Sequence, residues 1–132
     1  MSYCVEFDHV CKSYGDTQVL RDVSVGCPVG ETTAIVGASG SGKTTLLQLV
    51  NGVQRQDAGD VRVFGESVPS SAVEKFRRKI GYAVQGAALF PHLTARQNVT
   101  LVARLEGWSY EHMEARLLEL LIANSCVSEG TV

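Results

Sequence analysis

A run of glycine, serine, lysine and threonine between residues 37 and 45 carries the clearest chemical signal in this 132-residue sequence. Its letters, GASGSGKTT, match the pattern G-x-x-x-x-G-K-(S/T). Glycines let the backbone bend so that successive N–H groups point inward at phosphate oxygens, and the lysine adds a point charge. The run therefore predicts a loop that binds polyphosphate.

The elements predicted on either side of this loop suit that chemistry. Residues 32–36 form a short β-branched run that predicts a buried strand, and a helix is predicted from Lys43 to Val50, closed by Asn51-Gly52. The strand–loop–helix order places the positive end of the helix dipole at the bound phosphate. A flexible Gly/Ser loop that matches by chance is the alternative, and this setting disfavours it.

Periodicity and capping patterns predict the other elements. Alternation predicts further strands at residues 3–7, 18–25, 60–64 and 80–84. Ser71–Glu74 and Thr94–Gln97 match capping boxes, and Ser109 can cap a last helix. An apolar face in that last helix is predicted to pack in a core rather than to form a ligand groove; its members are Met113, Leu117, Leu120 and Leu121.

Composition and charge exclude several classes of protein. Hydrophobic residues make up 45% and the formal net charge is −2, which is typical of a globular domain and unlike a general nucleic-acid binder. No apolar run reaches the roughly 20 residues that span a bilayer, and the first residues do not form a secretory leader. The four cysteines lack zinc-ligand spacing and are predicted to be reduced thiols: Cys4, Cys11, Cys27 and Cys126.

From Tyr3 to about Leu121 the sequence resembles the ATP-binding subunit of ABC transporters. Three features beyond the loop carry the resemblance. The first is Tyr14, and the second is Asn51-Gly52 followed by the segment DAGDVRVFG, which begins at Asp57. The third is the segment KIGYAVQ, which ends at Gln85 and is followed by LFPHLT. It implies an α/β fold of the P-loop NTPase class (ABC ATPase-like), with an incomplete core, an antiparallel β subdomain and the start of the helical subdomain. It also implies ATP and Mg²⁺ as ligands, a transmembrane permease subunit as partner, and a cytoplasmic location peripheral to the inner face of the membrane.

The resemblance and the loop motif assign roles to individual residues. Tyr14 corresponds to the aromatic residue that stacks on adenine, and Gln85 to the glutamine that contacts Mg²⁺ and the attacking water. Without the resemblance, Tyr14 is a turn tyrosine and Gln85 an ordinary polar residue. The predicted nucleotide-binding residues are Tyr14, Gly37, Ser39, Gly40, Ser41, Gly42, Lys43, Thr44, Thr45 and Gln85. The predicted metal ligands are Thr44 and Gln85.

The family continues with three motifs that this sequence lacks: an LSGGQ-like signature, a Walker B strand and a switch histidine. Residues 1–121 are therefore interpreted as a truncated nucleotide-binding domain, and residues 122–132 as an atypical tail. Phosphoryl transfer to water needs an acid that holds Mg²⁺ and a group that orients the water, so ATP turnover near zero is expected. Unpaired strand edges predict either self-association or direct pairing of residues 32–36 with residues 80–84.

Two functions from different classes remain open. The first is a truncated ATP-binding subunit of an ABC-type importer that binds ATP and Mg²⁺ through its Walker A loop to energise solute transport, inactive in hydrolysis alone. The segments GAALFPHLT and NVTLVARLEGW resemble importers of osmoprotectants such as glycine betaine. The second is a non-enzymatic interaction or regulatory module that retains a vestigial P-loop. A small P-loop kinase is disfavoured because the sequence shows neither a second phosphate-acceptor site nor an arginine-rich lid.

Overall fold

A computed structural model describes residues 2–86 and 89–124, which belong to two units, Met1–Tyr82 and Ala83–Val132. The first unit is built on a four-stranded antiparallel sheet in the order β2–β1–β3–β4. Its strands are β1 (Tyr3–Tyr14), β2 (Thr17–Pro28), β3 (Ala58–Val63) and β4 (Glu66–Ser67). The strands predicted at residues 3–7, 18–25 and 60–64 are confirmed, and the first two extend further than predicted.

The core of the first unit lies between this sheet and helix α1 (Lys43–Val50), whose predicted bounds are confirmed. Because side chains alternate across a strand, one face of the sheet supplies apolar residues to the helix. The buried cluster consists of Phe7, Val10, Leu20, Leu49 and Val61. The glycine end of α1 is also confirmed: Asn51 is the C-cap and Gly52 has φ 67. This packing fixes the start of α1 beside β2.

The pairing of β1 with β3 contains a bulge at His9. Beyond Asp8, the two residues His9 and Val10 of β1 lie opposite the single residue Gly59 of β3. His9 has φ 50 and Gly59 has φ 81, so both lie in the left-handed region. The bulge turns the carbonyl groups of Asp8 and His9 toward Gly59, where a β-carbon would lie under 3.0 Å from them. The two backbones approach this closely because Gly59 has no side chain.

Helix α2 (Val73–Arg77) forms, but the capping box predicted for Ser71 is wrong. The N-cap is Ala72, with φ 53 and no side-chain cap, so Ser71 lies one residue too early to reach the first free N–H groups. Tertiary contacts hold the helix instead. Phe76 is buried, and the Arg77 guanidinium donates to the carbonyl oxygens of Asn51 and Gly52 at 2.9 Å each, at the end of α1.

The strands predicted at residues 32–36 and 80–84 are absent, and the predicted direct pairing between them is wrong. Neither segment belongs to a strand, and the four-stranded sheet is the only sheet within the described residues. An isolated apolar run cannot form a strand without a neighbour to accept and donate its hydrogen bonds. Val36 accordingly stays 91% exposed. Self-association through these segments stays a prediction.

The second unit contains helices α3 (Ala95–Leu105) and α4 (Tyr110–Ala123). The predicted caps are confirmed: Thr94 and Gln97 form a complete capping box, and Ser109 Oγ accepts from the His112 N–H. The predicted apolar face of α4 is also confirmed, because Leu117 is buried and its neighbours on that face are half-buried. An ion pair between Arg96 and Glu114 joins the two helices.

The remaining predictions concern the tail, the cysteines and membrane spans. Of residues 122–132 only 122–124 are described, and α4 continues through Ala123. Cys4, Cys11 and Cys27 are free thiols as predicted, and Cys126 lies outside the described residues. None of the helices in the described ranges combines the length and apolarity that crossing a membrane requires.

Candidate functional site

The glycine-rich loop turns back on itself before α1 begins. The Ser41 N–H donates to the Ala38 carbonyl at 3.2 Å, and Gly40 and Gly42 have φ 78 and φ 93. Only glycine adopts these angles without steric cost. At Gly42 space is also limiting, because a β-carbon would lie 2.9 Å from Leu20 Cδ2. The second glycine of the motif is therefore required both by the turn and by close packing against β2.

The first turn of α1 is free of side-chain caps and of negative charge. Its N-cap is Gly42, which has no side chain to accept a hydrogen bond, and no acidic residue lies in its first turn. By contrast, Thr94 and Ser109 cap α3 and α4 with their hydroxyl groups. The first N–H groups of a helix have no acceptor within the helix, and the dipole makes this end positive. The start of α1 can therefore accept an anion.

The Lys43 ammonium group is folded into the loop. Its Nζ donates to the carbonyl oxygens of Gly37 at 2.7 Å and Ala38 at 2.6 Å, and to Ser41 Oγ at 3.3 Å. These acceptors are neutral, so the positive charge is solvated by dipoles, and no carboxylate among residues 2–86 and 89–124 forms an ion pair with it. A hydrogen bond from an ammonium group to an anion is roughly twice as strong as a neutral one. An incoming phosphate can therefore compete for this lysine.

A cavity of about 580 Å³ opens over the loop and the first turn of α1. Its lining residues are Val19, Ser39, Gly40, Ser41, Gly42, Lys43, Thr44 and Thr45. The structure thus brings together every predicted loop residue from Ser39 to Thr45, while Gly37 contributes its carbonyl to Lys43. Sequence reasoning missed Val19, because a valine within a strand pattern carries no signal that its side chain borders a loop 20 residues away.

Tyr14 and Gln85 lie outside this lining. Tyr14 is the last residue of β1, directly before the turn, and is 43% exposed. The Nζ of Lys12 lies 5.3 Å from the centre of its ring. Gln85 is exposed in the second unit, between α2 and α3 and outside any regular element, whereas the cavity is lined by residues of the first unit alone.

The donor set at the loop suits a metal ion that arrives with phosphate more than a metal bound by protein alone. Within the described ranges, no group of three or more His, Cys, Asp or Glu side chains could hold a metal. Mg²⁺ in phosphate sites takes one or two protein oxygens and completes its shell with water and phosphate oxygens. Thr44 is an exposed residue in the first turn of α1, and its hydroxyl can supply one such oxygen.

Comparison with known proteins places these features in a family. A family model described as ABC transporter matches residues 20–129. The chain is 37% identical over 117 residues to the glycine betaine uptake system ATP-binding protein YehX of Escherichia coli (strain K12), covering 89% of this chain and 38% of that protein. It is 48% identical over 100 residues to the Fe(3+) ions import ATP-binding protein FbpC 2 of Rhodococcus jostii (strain RHA1), covering 75% of this chain and 29% of that protein. The chain thus spans well under half the length of these curated relatives.

Solved structures agree with the sequence comparison. The structure of cbiO1 from Clostridium perfringens, described as part of the ABC transporter complex cbiONQ, superposes with a TM-score of 0.82 at 26% identity. The match covers 92% of this chain and 50% of that chain. A second structure, described as the ATP binding subunit of an ABC transporter, gives a TM-score of 0.78 at 28% identity, covering 89% of this chain and 49% of that one.

Proposed function

Because this chain belongs to the ABC transporter family, we propose that its loop at residues 37–45 binds ATP as part of the ATP-binding subunit of an importer. The observation that supports this most directly is the start of α1. It presents an uncapped helix end without an acidic residue, beside a lysine that, within the described residues, donates to neutral loop oxygens. That combination selects an anion with several oxygens, which the phosphate chain of ATP supplies.

The proposed binding step is an exchange of hydrogen-bond partners. Lys43 leaves the carbonyl oxygens of Gly37 and Ala38 and donates to phosphate oxygens, and the free N–H groups of the loop and first turn complete the contact. Mg²⁺ bound with ATP would neutralise part of the charge on the phosphate oxygens. Thr44 is the proposed ligand in the first unit, and Gln85 is proposed as the second ligand from the family resemblance. Tyr14 is proposed to stack on adenine.

The proposed setting of residues 1–121 is a nucleotide-binding domain that docks on a transmembrane permease at the cytoplasmic face. This setting is supported by the similar cbiO1, which is described as part of the ABC transporter complex cbiONQ. The names of the similar relatives refer to glycine betaine, Fe(3+) and sulfate/thiosulfate. Because proteins of similar identity carry such different solute names, we propose that the solute is selected by another subunit.

Titration calorimetry of the chain tests the proposal. We expect saturable binding of ATP in the presence of Mg²⁺, with inorganic tripolyphosphate competing for the same site. A sizing measurement on the same sample tests the predicted self-association. If neither ATP nor tripolyphosphate binds, the proposal is wrong and the alternative, a non-enzymatic interaction module with a vestigial loop, is favoured. That alternative draws on the exposed segment at residues 32–36 before the loop, which lacks a strand neighbour.

Steady-state ATP turnover by these 132 residues alone is expected to be near zero. Binding supplies positioning, but hydrolysis also requires an acidic metal ligand and a group that activates water, and residues 1–132 contain neither a Walker B strand nor a switch histidine. The release of inorganic phosphate from ATP is measured with the unaltered chain and with Lys43→Ala, prepared in parallel. The first preparation gives the rate, and the second gives the background from contaminating ATPases. A Lys43-dependent rate like that of family members that carry the Walker B strand and the switch histidine would contradict this expectation.

A further inference from the structure

Asp57, in the segment between α1 and β3, is bonded to three successive residues at the end of β1. Its N–H donates to the Cys11 carbonyl at 2.9 Å. One carboxylate oxygen accepts from the Ser13 N–H at 2.6 Å, and the other accepts from Lys12 Nζ at 3.1 Å. The next residue of β1 is Tyr14. These bonds therefore fix the backbone that immediately precedes the tyrosine.

Lys12 extends this connection to the ring of Tyr14. Its side chain is only 13% exposed, although a lysine on a strand is ordinarily free in water. Its Nζ lies over the Tyr14 ring, 5.3 Å from the ring centre, within the range of a cation–π contact. The carboxylate of Asp57 thus holds an ammonium group against the aromatic ring, and the Tyr14 residue still remains exposed to solvent.

The charge state of Asp57 suits this role. The hydrogen bond from the Ser13 N–H, followed by that from Lys12, holds the pKa of Asp57 below its ordinary value. A lowered pKa means that the interaction is complete above the ordinary carboxyl pKa and is lost only as the pH falls through the lowered value. The ion pair with Lys12 is therefore fully formed at neutral pH.

We propose that Asp57 is a positioning residue for the nucleotide base: through Ser13 and Lys12 it orients Tyr14 so that one ring face is ready to stack on adenine. This inference rests on the proposed function, in which Tyr14 contacts the base. Stacking of a base on an aromatic side chain contributes to affinity only after the ring is ordered, so a ring ordered in advance loses less freedom on binding. Asp57 then affects how tightly the base is bound, through Tyr14, and does not affect the binding of the phosphates.

The test compares ATP with inorganic tripolyphosphate, which carries the phosphates without the base. We expect Asp57→Ala to weaken ATP binding on the order of tenfold and to change tripolyphosphate binding less than about twofold. In the Tyr14→Ala background, Asp57→Ala is expected to have no further effect on ATP affinity, because the residue acts through the tyrosine. Titration calorimetry at neutral pH with Mg²⁺ gives each of these affinities.

Asp60→Ala is the matched control, because Asp60 follows closely in the chain and bonds to Arg62 and Ser67 instead of to β1 residues near Tyr14. It is expected to leave the ratio of the two affinities unchanged. Asp57→Asn, which keeps an oxygen for Ser13 but loses the charge, gives an intermediate ratio and serves if the alanine variant does not fold. Equal weakening of both ligands, or an undiminished effect without Tyr14, would overturn the inference. Failure of both ligands to bind the unaltered chain would instead overturn the proposed function.

Discussion

Gly59→Ala is expected to destabilise the first unit by about 3 kcal/mol or more, a large share of the stability of a small domain. The new β-carbon would lie under 3.0 Å from the carbonyl groups of Asp8 and His9, which are backbone atoms in the middle of β1 and cannot rotate away. The alanine would also hold φ 81, in the left-handed region. Urea unfolding followed by far-UV circular dichroism measures the change as a lower midpoint.

Gly65→Ala is the control that separates two causes of the stability loss in Gly59→Ala: the steric clash of the new β-carbon and the cost of a left-handed backbone. Gly65 has φ 80, almost the same as Gly59, but a β-carbon there would meet nothing within 4 Å. We expect this variant to lose about 1 kcal/mol, the cost of the left-handed backbone alone. The difference between the two variants then measures the close approach at the bulge. Equal losses for both would show that β1 moves aside without cost.

The bulge that makes Gly59 necessary could not be predicted from the sequence. The residues 3–7 and 60–64 show ordinary alternation, and nothing local marks His9 as the position where the register slips. The sequence does place Gly59 within the segment that resembles the family, but the reason for a glycine there is a carbonyl about 50 positions earlier in the chain. Such a contact depends on which strands become neighbours, and alternation does not encode that.

The elements that were predicted well are those whose signals are local. The bounds of α1 follow from the loop glycines before it and from Asn51-Gly52 after it, and the caps at Thr94 and Ser109 involve residues within one turn. Such a signal depends on the exact start of the helix: the N-cap of α2 is the residue after Ser71, so the Ser71 side chain does not cap it. Residues 32–36 have the composition of a strand, but composition cannot supply the neighbour that a strand requires.

The candidate site also contains one part with a local sequence signal and one part that depends on residues far apart in the chain. The residues from Ser39 to Thr45 form one continuous turn and helix start, so the motif alone predicts that they line one cavity. Val19 and the connection from Asp57 to Tyr14 join segments that are far apart in sequence and carry no motif. The proposed phosphate end of the site was therefore predictable from the residues themselves, whereas the proposed base end required the resemblance and then the coordinates.

Lys43→Ala is expected to weaken ATP binding on the order of a hundredfold, because hydrogen bonds to a charged group contribute about 1.5–3 kcal/mol each. The loss should be similar for tripolyphosphate, since the ammonium group is proposed to act on phosphate and not on the base. The fold should survive, because in the part of the chain that the structure describes Lys43 bonds to oxygens of its own loop and does not belong to the buried cluster. Calorimetry measures the affinities, and circular dichroism checks the fold.

Lys75→Ala is the control for the loss of one positive charge, because Lys75 is an exposed lysine on α2 in the same unit and does not line the cavity over the loop. Lys75→Ala and Lys43→Ala change the net charge of the protein by the same amount, so the effect of net charge itself is matched. ATP affinity is expected to change less than about twofold with Lys75→Ala. If Lys43→Ala bound ATP as well as Lys75→Ala does, phosphate would not be held by this loop, and the position of Lys43 inside it would be a matter of loop structure alone.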